Sequence, residues 1–193
     1  MGYDKDMTPA LCNFEGAQWL LFGPNVAPLV YFSHLPILVI SLLLGIYVLY
    51  QNRHGLAHWI LFGTVLTFST WVFFDSIFWA TNRSDVILFA WSIDILVEPL
   101  VYMGGLYLMY ILLTKHDAPP WGKYLALTLY APIVILVPTA YTLSGFDIAS
   151  CLATEGPIAQ FYSYGIEIFF TLWAIGFALH HGIRTTDNEA RKQ

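Results

Sequence analysis

The chain contains five long apolar stretches, and each is long enough to cross a lipid bilayer. They cover residues 27–50, 57–80, 86–114, 121–143 and 158–181. About 20 helical residues span the roughly 30 Å hydrocarbon core of a bilayer. Each stretch must be helical there, because an irregular segment would leave its peptide groups without hydrogen-bond partners. The sequence predicts an all-α integral membrane protein with five transmembrane helices.

The composition supports this class and excludes others. Of the 193 residues, 58% are hydrophobic and only 11% are charged, which is more apolar surface than one soluble core of this size buries. The eight Lys and Arg residues are spread over short connections and form no basic stripe, so nucleic acid is not an expected partner. Membrane lipid is the expected surrounding of the chain.

The basic residues predict the orientation, because Lys and Arg accumulate on the cytoplasmic side of a membrane. With the N-terminus outside, six basic residues lie inside and two lie outside; the six are Arg53, Lys115, Lys123, Arg184, Arg191 and Lys192. This orientation predicts an extracytoplasmic segment over 1–26, a transmembrane domain over 27–181 and a cytoplasmic tail over 182–193. The start of the chain lacks the basic region of a cleaved signal, so we expect a multi-pass protein of the inner (plasma) membrane.

Four carboxylates and one histidine lie well inside these apolar stretches, and they are the strongest indication of a functional site. They are Asp75, Asp94, Glu98, Glu167 and His34. Ionisable groups cost free energy in hydrocarbon, so those that occur there are usually functional. In the predicted topology all five lie in the outer half of the bilayer. A shared site explains this common depth more simply than five separate accidents.

Helical spacing refines the site, since residues four apart share a face of a helix. Asp94 and Glu98 have this spacing, and Gln160, Tyr164 and Glu167 form a comparable polar face in the fifth helix. Facing carboxylates at low dielectric cannot all be charged, so either a cation or protons must lie among them. The predicted ligand-binding residues are Asp94, Glu98, Glu167, Asp75, His34 and Tyr164.

Two readings of these acids stay open. Pro99 leaves the carbonyl of Ile95 without its helical donor, and oxygen ligands suit a hard cation, so Asp94, Glu98 and Glu167 are candidate metal ligands. The alternative is a structural network of protonated acids. The identity of a bound cation or other cofactor stays open, except that no span carries a central Lys for a retinal Schiff base.

The two cysteines, Cys12 and Cys151, both fall on the predicted outer side. In an oxidising compartment a disulfide between them is the expected outcome. A metal or redox role for them together with Glu15 and Glu155 is the alternative, although two thiols without a nearby outer histidine make a sparse ligand set. The chain contains no catalytic motif, so it is not expected to be an enzyme.

Three segments resemble the multi-helix N-terminal membrane region of bacterial sensor histidine kinases. They are the motif at 151–157, the aromatic opening of the last helix at 161–167 and the polar exit at 187–193. The resemblance implies a sensory module of a signal-transduction receptor that acts on a cytoplasmic signalling domain, in the same chain or another, with a homodimer left open. Any kinase activity is expected beyond Gln193.

Two other functions remain open at this point. A small cation- or proton-coupled transporter would use the same carboxylates as its translocation site. It would need access from both membrane faces, and the inner halves of the helices carry few polar groups besides Thr64, Thr67 and interfacial histidines. A tryptophan-rich five-helix ligand-binding protein agrees with the number of spans and with the aromatic content.

Overall fold

The protein is a bundle of helices with one small β-hairpin. The computed structural model describes residues 12, 16–17, 21–23 and 26–190, with side chains up to residue 183. In chain order the described elements are α1 (Pro28–Gln51), α2 (Leu56–Ala80), α3 (Ser84–Thr114), α4 (Pro120–Leu136), β1 (Leu143–Asp147), β2 (Leu152–Glu155), a π-helical turn (Ile158–Ser163) and α5 (Tyr164–Ala190).

Four of the described helical segments are long and apolar enough to cross a membrane. They are Pro28–Gln51, Leu56–Ala80, Ser84–Thr114 and Ile158–Ile183. Pro28 occupies the first turn of α1, where its missing N–H has no helical acceptor to lose. Lys115 ends α3 in the left-handed conformation, with φ 60°. These four helices match the predicted spans at 27–50, 57–80, 86–114 and 158–181 to within a few residues.

The fourth helix is shorter than the predicted span 121–143. α4 has 17 residues and ends at Leu136, so it is about 26 Å long at helical rise. Pro138 follows within two residues and cannot donate to a helical carbonyl. The hydroxyls of Thr139 and Thr142 donate to the carbonyl of Leu136 at 2.6 and 2.8 Å and satisfy this exposed acceptor. Proline and these two threonines therefore end the helix.

The connection from α4 to α5 is a hairpin, so the prediction of an all-α chain is wrong at this point. β1 and β2 pair antiparallel, with Phe146 opposite Ala153. Asp147 holds the turn: its carboxylate accepts from Ala149 N at 3.0 Å and from Ser150 Oγ at 2.7 Å. The hydrogen bond from Ser150 also keeps the pKa of the exposed Asp147 below its usual value.

Helix α3 lies at the centre of the bundle. α1 packs on α2, α2 packs on α3, and α4 and α5 both contact α3. One buried cluster joins the N-terminal segment to α2 and α3: Leu21, Val26, Ile77, Ala80 and Ala90. A second joins α3 to α4, the π turn and α5: Ile95, Ile133, Ala159, Ile166 and Phe170. α3 therefore connects the two halves of the molecule.

The predicted disulfide is confirmed. Cys12 and Cys151 are bonded, with their Cα atoms 5.7 Å apart and a sequence separation of 139. The N-terminal segment is also tied to the end of α2, because Cys12 N donates to Asn82 O at 3.0 Å and Ala17 N donates to Ala80 O at 2.8 Å. The disulfide thus fastens the hairpin to the N-terminal segment at the end of the bundle where α2 meets α3.

Loss of this bond should destabilise the fold. We expect Cys12→Ser to lower the free energy of unfolding by about 2–4 kcal/mol, because the disulfide restricts a long loop of the unfolded chain. Denaturant unfolding of the purified protein in detergent, followed by circular dichroism, measures the change.

The matched controls are Cys151→Ser and the double variant. All three should have the same stability, because each removes the same single bond. A double variant clearly less stable than either single variant would show that the cysteines act separately and would contradict the assignment.

Candidate functional site

A small cavity lined with acids lies between α3, β2, the π turn and α5. Its volume is about 70 Å³. Four carboxylates line it: Asp94 and Glu98 from α3, Glu155 from β2 and Glu167 from α5. None of the described residues that line it is basic. The cavity has room for a few water molecules or one small cationic group, and it is smaller than the ~300 Å³ lower limit of typical small-molecule pockets.

Asp94 and Glu98 lie together because α3 is helical through both of them. Their four-residue spacing puts them on one face, as the sequence predicted. Trp71 Nε1 on α2 donates to Asp94 Oδ2 at 3.1 Å. The other oxygen, Oδ1, is buried and has no hydrogen-bond partner among the described residues. Asp94 therefore keeps an unused acceptor inside the protein.

Glu167 is the most buried of the four acids. It is only 7% exposed. Within the described part of the chain no hydrogen bond or ion pair reaches its carboxylate, and it interacts electrostatically with the other three acids of the cavity, Asp94, Glu98 and Glu155. A buried carboxylate in this state costs free energy that neither a donor nor a cation offsets. Water in the cavity, a proton or a positively charged ligand can each offset this cost.

Glu155 closes the cavity from the hairpin, and sequence reasoning missed it as a member of this site. Its Oε1 accepts from Trp91 Nε1 at 3.2 Å and from the Tyr164 hydroxyl at 3.3 Å. It appeared only as an alternative partner of the cysteines, because 144–157 reads as an irregular loop. The disulfide was the signal that could have placed it, since Cys151 holds the hairpin at this end of the bundle.

The π turn changes which residues of the last helix face the site. Ala159, Ser163, Tyr164 and Glu167 line the cavity, and the predicted Gln160 is exposed and does not. A π segment closes i→i+5 hydrogen bonds, so residues before it are rotated relative to a regular helix. π turns often occur at functional sites. The predicted face Gln160–Tyr164–Glu167 is therefore correct for its last two residues only.

His34 and Asp75 form their own pair beside the cavity. His34 Nε2 lies 2.5 Å from Asp75 Oδ2, and Trp79 Nε1 donates to Asp75 Oδ1 at 3.2 Å. Neither residue lines the cavity. Asp75 nevertheless interacts electrostatically with Asp94 and Glu98. The five predicted residues thus divide into one cavity group of three and one neighbouring pair.

The described residues contain no recognisable set of metal ligands. Among the described residues, no three His, Cys, Asp or Glu side chains have an arrangement that could hold a metal ion. Asp94, Glu98 and Glu167 share a cavity without converging on one point as ligands do. The metal assignment therefore stays a prediction that these residues do not support. A metal-binding role for Cys12 and Cys151 would need free thiols, and both are used in the disulfide. Glu15 lies outside the described residues.

Comparisons with protein-family models, with curated proteins and with solved structures find no match to this chain. The resemblance to histidine-kinase sensory regions therefore stays a prediction. Support for the candidate site therefore comes from the geometry of its residues.

Neutralising the unpartnered acid should stabilise the protein. We expect Glu167→Gln to raise the free energy of unfolding at pH 8 by about 1–2 kcal/mol, since it removes a buried charge that has no donor. The matched change Glu155→Gln should lower it by about 0.5–1 kcal/mol, because that carboxylate accepts two charge-assisted hydrogen bonds. Unfolding in detergent measures both, and a destabilised Glu167→Gln would contradict this description of the site.

The His34–Asp75 pair should couple α1 to α2. A double-mutant cycle of His34→Gln and Asp75→Asn should give a coupling energy of about 1–2 kcal/mol, as expected for a charge-assisted hydrogen bond that is mostly shielded from water. Ser41→Ala with Asp75→Asn is the control cycle and should show almost no coupling, because the Ser41 hydroxyl bonds Ser69 on α2 and not His34 or Asp75. Equal coupling in the two cycles would argue against a specific pair.

Proposed function

We propose that this chain is the membrane sensory module of a signal-transduction receptor, which responds to a proton or a small cationic ligand in the acid-lined cavity. The observation that carries the proposal is the state of Glu167, a buried carboxylate without a partner in a cavity that four acids line. Evolution rarely retains such a group for stability alone, because its charge opposes folding. Ionisable groups in membrane helices are usually functional.

The proposed topology has five transmembrane helices, the N-terminus outside and the C-terminus in the cytoplasm. The disulfide supports a membrane crossing by α4. Cys12 precedes α1 and Cys151 follows α4, and two bonded residues must lie on the same side. Four crossings return the chain to its starting side, whereas three would not. The 17 residues of α4 are at the lower end of the ~17–25 residues that transmembrane helices use.

This topology places the cavity in the outer half of the bilayer, close to the disulfide-linked hairpin. Disulfides persist in oxidising extracytoplasmic compartments, which agrees with the outer location of Cys12 and Cys151. Glu155 and the hairpin then cover the cavity on its outer side. A proton or cation from outside reaches the acids without crossing the membrane.

The proposed signal is a change in packing between α3 and α5. When the acids of α3 and α5 are charged, they repel each other. A proton or a cation that binds between them removes this repulsion. α5 contacts α3 and continues to Ala190, beyond the proposed inner membrane surface. A shift of α5 can therefore reach a cytoplasmic signalling domain, as the resemblance to sensor kinases implies.

The inner half of the bundle supports sensing over transport. Thr64 and Thr67 donate to backbone carbonyls of their own helix, Ile60 O and Thr64 O, both at 2.8 Å. Further along, Tyr110 and Phe177 stack with ring centroids 5.2 Å apart between α3 and α5. Transport would need a polar route through this region.

A dye at the inner end of α5 tests the proposal. Ile183 is exposed, so Ile183→Cys labelled with a polarity-sensitive fluorophore reports on that end. In phosphatidylcholine nanodiscs, we expect a step from pH 9 to pH 5.5 to change the dye emission, and Glu98→Gln to remove most of this change while membrane insertion stays intact. The titratable side chains that line the cavity are Asp94, Glu98, Glu155, Glu167 and Tyr164, and Asp75 interacts electrostatically with Glu98 from outside it.

The control variant is Asp117→Asn, which removes an exposed acid that lies 2.6 Å from Lys123, outside the cavity. It should keep the full response. A pH response that Glu98→Gln leaves unchanged would contradict the proposed site. A Glu98-dependent proton flux in sealed proteoliposomes would instead favour the transporter.

A further inference from the structure

A second, larger groove adjoins the acid-lined cavity. It lies on the surface of the bundle, between α3 and α5. Its volume is about 320 Å³, which falls within the ~300–1,000 Å³ range of small-molecule sites. It is lined by Tyr102, Tyr164, Glu167, Ile168, Thr171 and Leu172. Tyr164 and Glu167 line both spaces. One carboxylate therefore stands where a polar cavity meets an apolar groove.

The groove is mainly apolar and aromatic along its length. Ile168 and Leu172 expose most of their side chains there, and Tyr102 and Tyr164 expose more than a third of theirs. From position 164 to position 172 the groove follows α5 for about 12 Å at helical rise. In the proposed topology this face meets lipid, so an apolar ligand reaches it from within the bilayer.

The charge of the cavity selects a cation for the polar end of such a ligand. Asp94 Oδ1 is buried without a partner, the Glu167 carboxylate accepts no hydrogen bond from the described residues, and no described lining residue is basic. A primary ammonium carries three N–H donors and one positive charge. It therefore supplies both the charge and the donors that these acids lack, and Tyr102 and Tyr164 line the groove beside Glu167.

We propose that the cavity and the groove together bind an amphiphilic primary amine, with its ammonium beside Glu167 and its apolar tail along Ile168 and Leu172. This inference rests on the proposed function, because it names the ligand class of the same site. The occupant is a free amine. The ammonium of an ethanolamine phospholipid is linked to a phosphate, whose negative charge would be repelled by the four acids.

Titration calorimetry of the full chain in phosphatidylcholine nanodiscs tests the inference, with empty nanodiscs subtracted to remove partitioning. The probes are n-octylamine, methylamine and octyltrimethylammonium. We expect n-octylamine to bind at least about tenfold more tightly than methylamine, because its tail buries apolar surface in the groove. Octyltrimethylammonium should bind at least about tenfold more weakly than n-octylamine, because it has no N–H donor for the acids.

Two variants separate the groove from the cavity. Glu167→Gln should abolish binding of both primary amines. Leu172→Trp fills the groove and should weaken n-octylamine about tenfold while methylamine keeps its affinity. Leu179→Trp is the matched control, because Leu179 is equally exposed on α5 and lies outside the groove, and it should change neither affinity.

The outcomes distinguish a failure of this inference from a failure of the proposed function. One outcome is that methylamine binding depends on Glu167, but n-octylamine binds no more tightly or Leu172→Trp has no effect. The site then binds a cation but no apolar tail, which contradicts this inference and leaves the proposed function intact. If phosphatidylethanolamine in the nanodisc displaces n-octylamine, the occupant is a lipid headgroup, and the assignment of a free amine is wrong. If no amine binds and the pH response at Ile183→Cys is also absent, the proposed function fails with it.

Discussion

The repulsion between the carboxylates of one cavity is the interaction on which the rest of the molecule depends. Asp94, Glu98, Glu155 and Glu167 line one cavity, and Glu167 is buried without a donor. At low dielectric such a group is costly, so its presence requires an explanation. The four acids come from three separate elements, and any proton or cation among them acts on how those elements pack. The same unfavourable state that weakens the fold can therefore make it responsive.

The scaffold keeps these acids together against their repulsion. α3 supplies two of them and contacts α2, α4 and α5. The hairpin supplies Glu155, and the disulfide between Cys12 and Cys151 holds the hairpin to the N-terminal segment. The buried apolar cluster that contains Ile95, Ile166 and Phe170 joins α3 to α5, and Ile95 also lines the cavity. Packing and a covalent bond thus offset a local electrostatic cost.

Sequence patterns predicted the parts of this structure that depend on local rules. Four long helices follow from their apolar length, Asp94 and Glu98 share a face because of their spacing, and the cysteine pair follows from the expected compartment. The parts that depend on tertiary contacts were missed. Glu155 enters the cavity only because a hairpin forms, and the π turn excludes Gln160 by rotating the start of the last helix. His34 and Asp75 pair with each other and do not line the cavity, which depends on the packing of α1 on α2.

Infrared difference spectroscopy tests the central claim most directly, since it observes the carboxyl groups themselves. The protein in nanodiscs would be compared at high and low pH, and the same comparison made for Glu167→Gln. The account predicts that the carbonyl band of a protonated, water-excluded carboxylic acid appears on acidification and that Glu167→Gln removes part of it. A band that is the same in the variant, or no band at any pH in the wild-type protein, would contradict a shared, responsive site at Glu167.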